Sequence, residues 1–125
     1  ISLDVDAGGY YQVQDSFTGL VKTIEGLNLS HLVLPRIIEA GVVFKCMTLE
    51  HEAFKWDTVV TFPTRSALED LGYKMLFEDV CFEDGSAWED WWINPEFIPV
   101  ENIMSIATKG ETYNECLDKL ITFTE

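Results

Sequence analysis

Between Lys74 and Lys109 the chain carries no cation, yet eight carboxylates fall inside that stretch: Glu78, Asp79, Glu83, Asp84, Glu89, Asp90, Glu96 and Glu101. Carboxylates resist burial, so the segment is constrained to present a solvated acidic face. Three of the four tryptophans, Trp88, Trp91 and Trp92, lie in the same stretch. Acidic pairs interleaved with large aromatics suit a surface that grips a basic partner, because aromatics supply binding energy and carboxylates accelerate encounter.

Ser86 and Glu89 have the spacing of a capping box, and Asn94-Pro95 is a stop signal, so Ser86 to Ile93 reads as a short helix. Trp88, Trp91 and Trp92 then stand at i, i+3 and i+4 and share one face, with Glu89 and Asp90 turned to water. Either the tryptophans are core and the acids their rim, or part of the aromatic face is exposed beside them. The upstream doublets Glu78-Asp79 and Glu83-Asp84 extend the acidic track. Equivalent positions are about 16 Å apart at ~3.3 Å per residue if the segment is extended. Rows of carboxylates can imitate a phosphate track, although no spacing here singles that out.

Two further capping boxes, Ser66 with Glu69 and Thr112 with Glu115, mark helix starts. After the second, Tyr113, Cys116, Leu117, Leu120 and Ile121 form one apolar stripe at helical spacing. The Ser66 helix stops at Gly72. Phe17, Leu20, Val21 and Ile24 suggest a first helix closed around Gly26, and Pro35 opens a short one ending at Gly41. Val42 to Leu49 and Trp56 to Phe62 are rich in β-branched and aromatic residues and read as strands, as do residues 73–83 and 97–106. Asp84-Gly85 is a turn signal. The sum is an α+β fold, one domain over residues 1–125, with an antiparallel sheet of about four strands packed by N-terminal, central and C-terminal helices.

With 47% hydrophobic and 13% aromatic residues the chain has material for a packed core. Its 22 acids against 8 bases give a formal charge of −14. Such a field repels nucleic acid and anionic membrane and attracts cations and basic proteins. Cys46, Cys81 and Cys116 are too few for a disulfide framework and read as reduced, largely buried thiols, which points to a cytoplasmic setting. Residues 1–20 lack the basic and apolar regions of a secretory signal, and no apolar run reaches the ~20 residues of a membrane span.

Other constellations are weaker. Asp4, Asp6 and Asp15 occupy positions 1, 3 and 12 of a calcium-loop frame, but Gly8 stands at position 5 and no room exists for a preceding helix. A tight turn on Gly8-Gly9 between two strands is the better reading. His51, between Glu50 and Glu52, reads as a surface histidine in a charged connection. No HExxH, Cys-x-x-Cys, GxSxG or glycine-rich phosphate loop is present, so no cofactor, metal or nucleotide is expected.

The reading that follows is a non-enzymatic acidic protein that binds and blocks a basic surface of a nucleic-acid-binding protein or nuclease. Phage anti-restriction or anti-CRISPR-like inhibitors and toxin-immunity proteins share that physics. The charge partners would be Glu78, Asp79, Glu83, Asp84, Glu89 and Asp90, with Trp88 and Trp91 as anchors. Two alternatives stand beside it: an assembly protein that self-associates through its tryptophan-rich face, and a small enzyme with a carboxylate or His51-based site.

Overall fold

The protein, described here by a computed structural model, is defined over residues 2–3, 6–14, 21–28, 30–51 and 58–124. Its organising element is the strand Ala87–Ile93, β6, which is the middle strand of a five-stranded sheet. Antiparallel neighbours flank it on both sides: β4 (Cys46–Glu50) and β5 (Lys74–Cys81). Two-residue parallel strands form the edges, β1 (Ser2–Leu3) beside β4 and β7 (Thr108–Lys109) beside β5. The sheet is therefore mixed, with an antiparallel centre. A separate antiparallel ribbon joins β2 (Asp6–Gln14) to β3 (Val21–Asn28).

Helices cover both faces. α1 (Ser30–Glu39) and α2 (Thr58–Asp70) lie on one side, where Leu34 and Leu68 pack with Met47, Leu49, Tyr73 and Trp92. On the other side, Ile103 of the short α3 (Val100–Ile103) and Cys116 of α4 (Tyr113–Thr124) pack with Leu76, Phe77, Val80, Trp91 and Ile93. Side chains alternate across a strand, so Trp91 and Trp92 serve opposite cores. Ala87–Ile93 is no helix, and Trp91 alternates to the opposite side from Trp92. A strand covered on both faces reads as a continuous buried run, and here Glu89 and Asp90 interrupt the apolar pattern that would have announced it.

Other expectations divide similarly. The strand at 73–83 appears as β5, and the strand at 42–49 is β4, displaced to Cys46–Glu50. The Asp84-Gly85 turn forms: Gly85 N–H donates to the Phe82 carbonyl at 2.9 Å, Gly85 takes φ +87°, and Phe82 N–H donates to Ser86 O at 2.9 Å. That left-handed residue after a β-turn is a common hairpin closure. The C-terminal helix opens where expected, with Glu115 N–H donating to Thr112 Oγ1 at 3.3 Å.

The strand expected at Trp56 to Phe62 is corrected to helix from Thr58 onward. Ser66 consequently sits mid-helix rather than at a cap. Thr61, Thr64 and Leu68 are the buried residues of α2, a helical spacing carried largely by threonines, which a hydrophobic-periodicity reading passes over. Residues 97–106 hold α3 and a 3-10 turn, Met104–Ile106, instead of a strand. The second short helix is α1, which begins five residues before Pro35 and contains it. Val21 and Ile24 lie in β3 rather than a first helix, while Phe17 and Leu20 lie outside the described residues. Gly8-Gly9 is no turn; it sits inside β2 where the register shifts between Ala7 and Tyr10, the bulge that strand glycines permit. Of the calcium-loop candidates, Asp6 begins that extended strand, and Asp4 and Asp15 lie outside the described residues. No disulfide joins the cysteines; Cys81 and Cys116 are buried as expected, but Cys46 is exposed.

Candidate functional site

The face of the sheet under α1 and α2 is apolar at one end and ionic at the other. Past Glu50, β4 gains one more rung, where His51 N–H donates to the Trp88 carbonyl at 2.7 Å. His51 follows Met47 and Leu49 at the strand period and is buried with them, 2% exposed, contrary to the surface position expected of it. Asp90 shares the face of Trp92 and is equally buried at 2%. One turn of α2 before Leu68, Arg65 reaches the same place.

A bulge brings in the fourth member. Phe77 pairs with Trp91 and Val80 with Glu89, so β5 spends one residue more than β6 over this interval. Asp79 takes up the surplus with φ +51°, the only non-glycine residue with positive φ among those described. Aspartate tolerates that left-handed conformation better than most residues. The twist turns its N–H out of the ladder and onto Asp90 Oδ1 at 2.8 Å.

The result is a closed tetrad. Arg65 donates Nε–H to Asp90 Oδ2 at 2.8 Å and Nη2–H to Asp90 Oδ1 at 2.9 Å, a two-pronged grip. The same Nη2 donates to Asp79 Oδ1 at 2.7 Å. His51 Nε2 stands 3.1 Å from Asp90 Oδ1 and 3.3 Å from Asp79 Oδ1. Two acids face two bases. Burial disfavours the His51 charge, but hydrogen bonds to Asp79 and Asp90 outweigh it and raise its proton affinity above the ordinary 6.5. The His51 hydrogen bond, with Arg65 charge behind it, holds Asp79 down to about 2. Asp90 is likewise lowered, its burial overcome by bonds from His51 and Arg65. With His51 protonated the tetrad is neutral, which is what a buried charge cluster requires.

His51, Asp79 and Asp90 offer donor atoms all within 4.8 Å of one another, enough to consider a divalent cation. The donor set does not fit one. A metal needs neutral imidazole and free carboxylate lone pairs, whereas His51 favours its proton and Arg65 occupies both carboxylates. The same occupancy argues against His51 as a general base, since its Nε2 is already engaged and out of contact with solvent.

The acidic tract thus splits. Asp79 and Asp90 are bound within the tetrad. Glu89 is buried and accepts the Trp91 Nε1–H at 2.6 Å, its own pKa raised by burial. Trp91, 8% exposed, packs edge-on to Phe77 and Tyr113. These four residues therefore do not present themselves as a partner-binding surface. Glu78 pairs with the exposed Lys109 at 2.8 Å. Glu83 and Asp84 are exposed at the tip of the β5–β6 hairpin, and Trp88 is half-buried behind them, its ring stacked on Phe82 at 4.9 Å. Arg65 and His51 were missed as a pair with the acids; only the helical spacing of Arg65 with Thr61, Thr64 and Leu68 hinted at its inward face.

Beside the hairpin tip, Cys81, Phe82, Glu83, Trp88 and Tyr113 line an open cleft of about 450 Å³. Phe82 and Tyr113 are each 44% exposed. Asn114 Nδ2–H donates to Glu83 Oε1 at 3.3 Å and orients that carboxylate. Among the described residues, no basic side chain lies within ion-pair distance of Glu83, Asp84 or Glu115. No helix among the described residues is long and apolar enough to cross a membrane. Comparison with known proteins adds nothing to this geometry: no family model, curated protein or solved structure matches the chain.

Proposed function

We propose that this is a non-enzymatic acidic interaction protein whose working surface is the β5–β6 hairpin tip and the adjoining start of α4, and whose target is a basic protein. The observation that carries the reading is the division of the acidic tract. Asp79 and Asp90 are neutralised inside the fold, while Glu83, Asp84 and Glu115 point outward beside exposed Phe82 and Tyr113, with no ion pair among the described residues. Aromatics at the centre with charges around them is the usual composition of an interface hot spot. The formal charge of −14 favours encounter with a cationic surface and repels nucleic acid itself. A nucleic-acid-binding protein or nuclease is the target class with the matching positive face, and inhibition by occupying that face is the mechanism the charge supports. Cysteines that form no disulfide suit the cytoplasmic residence such a target implies.

The test is capture of partners at low and moderate salt, with wild type beside a Glu83→Gln, Asp84→Asn, Glu115→Gln variant. A basic protein retained by wild type, released by salt and lost with the variant supports the reading. Equal capture by both baits removes this surface from any interface.

A further inference from the structure

We infer that the cleft at the hairpin tip is a receptacle for one arginine side chain of the basic partner; this rests on the reading above and names the group it would recognise. Three features of the cleft converge on a planar cation. Its lining is aromatic: Phe82 stacks at 12° on Trp88, and Tyr113 of α4 lines the same cleft. Arginine is the cation that stacks on such faces while keeping its donors free at the ring edges. Its rim is anionic: Glu83 accepts a bond from Asn114 on one oxygen, and a carboxylate is the partner a guanidinium fork engages with two parallel bonds. Asp84 and Glu115 add field from two different elements. Burial first, then Asp79, and after it Asp84 and Glu115, push up the proton affinity of the Cys81 thiol in the cleft.

Size and composition agree. About 450 Å³ lies within the ~300–1,000 Å³ of small-ligand clefts, and no lysine, arginine or histidine is among the residues lining it. The indole N–H of Trp88 is buried without a hydrogen-bond partner, which makes its resonance a sensitive reporter of changes around the ring. The hairpin closes through Gly85, so the tip that presents Phe82 and Glu83 is held by backbone geometry rather than by the absent partner. Lysine would satisfy the field but not the fork or the stacking, and it carries a tighter hydration shell.

The experiment is a nuclear magnetic resonance titration of the whole chain at low salt with glycine-serine peptides containing a single arginine, lysine or citrulline. The indole N–H resonance of Trp88 and the backbone amides of Phe82, Glu83 and Tyr113 are the reporters. Saturable shifts confined to those groups are expected with arginine, with lysine weaker by about threefold or more and citrulline, isosteric but neutral, inert. Glu83→Gln should weaken the arginine peptide about three- to fivefold with the rest of the spectrum unchanged, and Tyr113→Ala should do the same with added changes at Trp91, on which its ring packs. Equal shifts with citrulline, shifts elsewhere on the surface, or none that saturate would overturn the proposal. If a basic protein is captured in a hairpin-dependent way while the arginine peptide fails, the receptacle is wrong and the acidic interface stands; if both fail, neither stands.

Discussion

Replacing Asp90 by asparagine removes one charge and almost no volume, which makes it the cleanest probe of the buried tetrad. Asp90 accepts four hydrogen bonds, two from Arg65, one from His51 and one from the Asp79 backbone. Asparagine offers one oxygen, so its amide must meet at least one of those donors head-on. Within the tetrad Asp79 is then the one remaining carboxylate for Arg65 and His51, and its balance of two acids and two bases shifts to a net positive charge. Breaking one member of a buried ion pair typically costs ~3–5 kcal/mol. We expect a loss in that range for Asp90→Asn, because the residue is 2% exposed and water cannot replace the missing acceptor. Urea unfolding followed by tryptophan fluorescence reads it directly, with Trp91 and Trp92 buried on either face of β6 as reporters. The midpoint should fall while the slope stays constant. Measured in an Arg65→Met background, the same substitution should cost at least ~1 kcal/mol less, since contacting residues couple. A loss below ~1 kcal/mol, or strict additivity with Arg65→Met, would falsify the tetrad as a coupled unit.

Asp79→Asn should cost less, about 1–2 kcal/mol by the same assay, because Asp79 is 21% exposed and asparagine accepts the positive φ. The pH profile has a definite sign. His51 holds its proton more tightly folded than unfolded, so its contribution is complete below pH 6.5 and is lost as pH rises through its raised value; Asp79 and Asp90 contribute above pH 3.8 and lose that contribution as pH falls, Asp79 through about 2. The midpoint difference between wild type and His51→Gln should therefore be greatest between those limits and narrow in alkali; a difference that grows with pH contradicts the assignment. Glu89→Gln should be neutral or stabilising at pH 7, since it keeps an acceptor for Trp91 and removes a charge that burial disfavours, with the gain vanishing in acid where Glu89 is protonated anyway. Glu83→Gln with Asp84→Asn should leave stability within ~0.5 kcal/mol, as both are exposed and asparagine can still accept the Ser86 N–H.

How far the sequence could be read depends on which signals were local. The Asp84-Gly85 turn, the Thr112 cap and the amphipathic C-terminal helix follow from a few adjacent residues, and the structure carries all three. β5 could be seen as extended from its composition. The misreadings concern elements whose burial is paid in polar residues. Tryptophans at i, i+3 and i+4 satisfy a helical face and a doubly buried strand alike; only the fates of Glu89 and Asp90 separate the two, and those are decided by Trp91 in the strand and by Arg65 twenty-five residues upstream. In α2 the inward positions are threonine, threonine, arginine and leucine, so the period is helical while the hydrophobicity is not. The short α3 lies in a segment whose β-branched residues favoured strand until the chain met the sheet.

The same long-range pairing explains why the candidate surface was half right. A run of carboxylates with no nearby cation looks uniformly solvated along the sequence, because the bases that neutralise part of it enter from other elements. Arg65 from α2 and His51 from the end of β4 withdraw Asp79 and Asp90, and Lys109 of β7 pairs with Glu78. The hairpin tip lies beyond the reach of these bases, so Glu83 and Asp84 keep their charge outward. Each cation drawn inside thus sharpens the contrast between a neutral interior and an acidic tip. That contrast makes the functional reading separable from stability: variants at the tip should alter recognition without unfolding the chain, and variants of the tetrad should unfold it without first altering the chemistry of the tip.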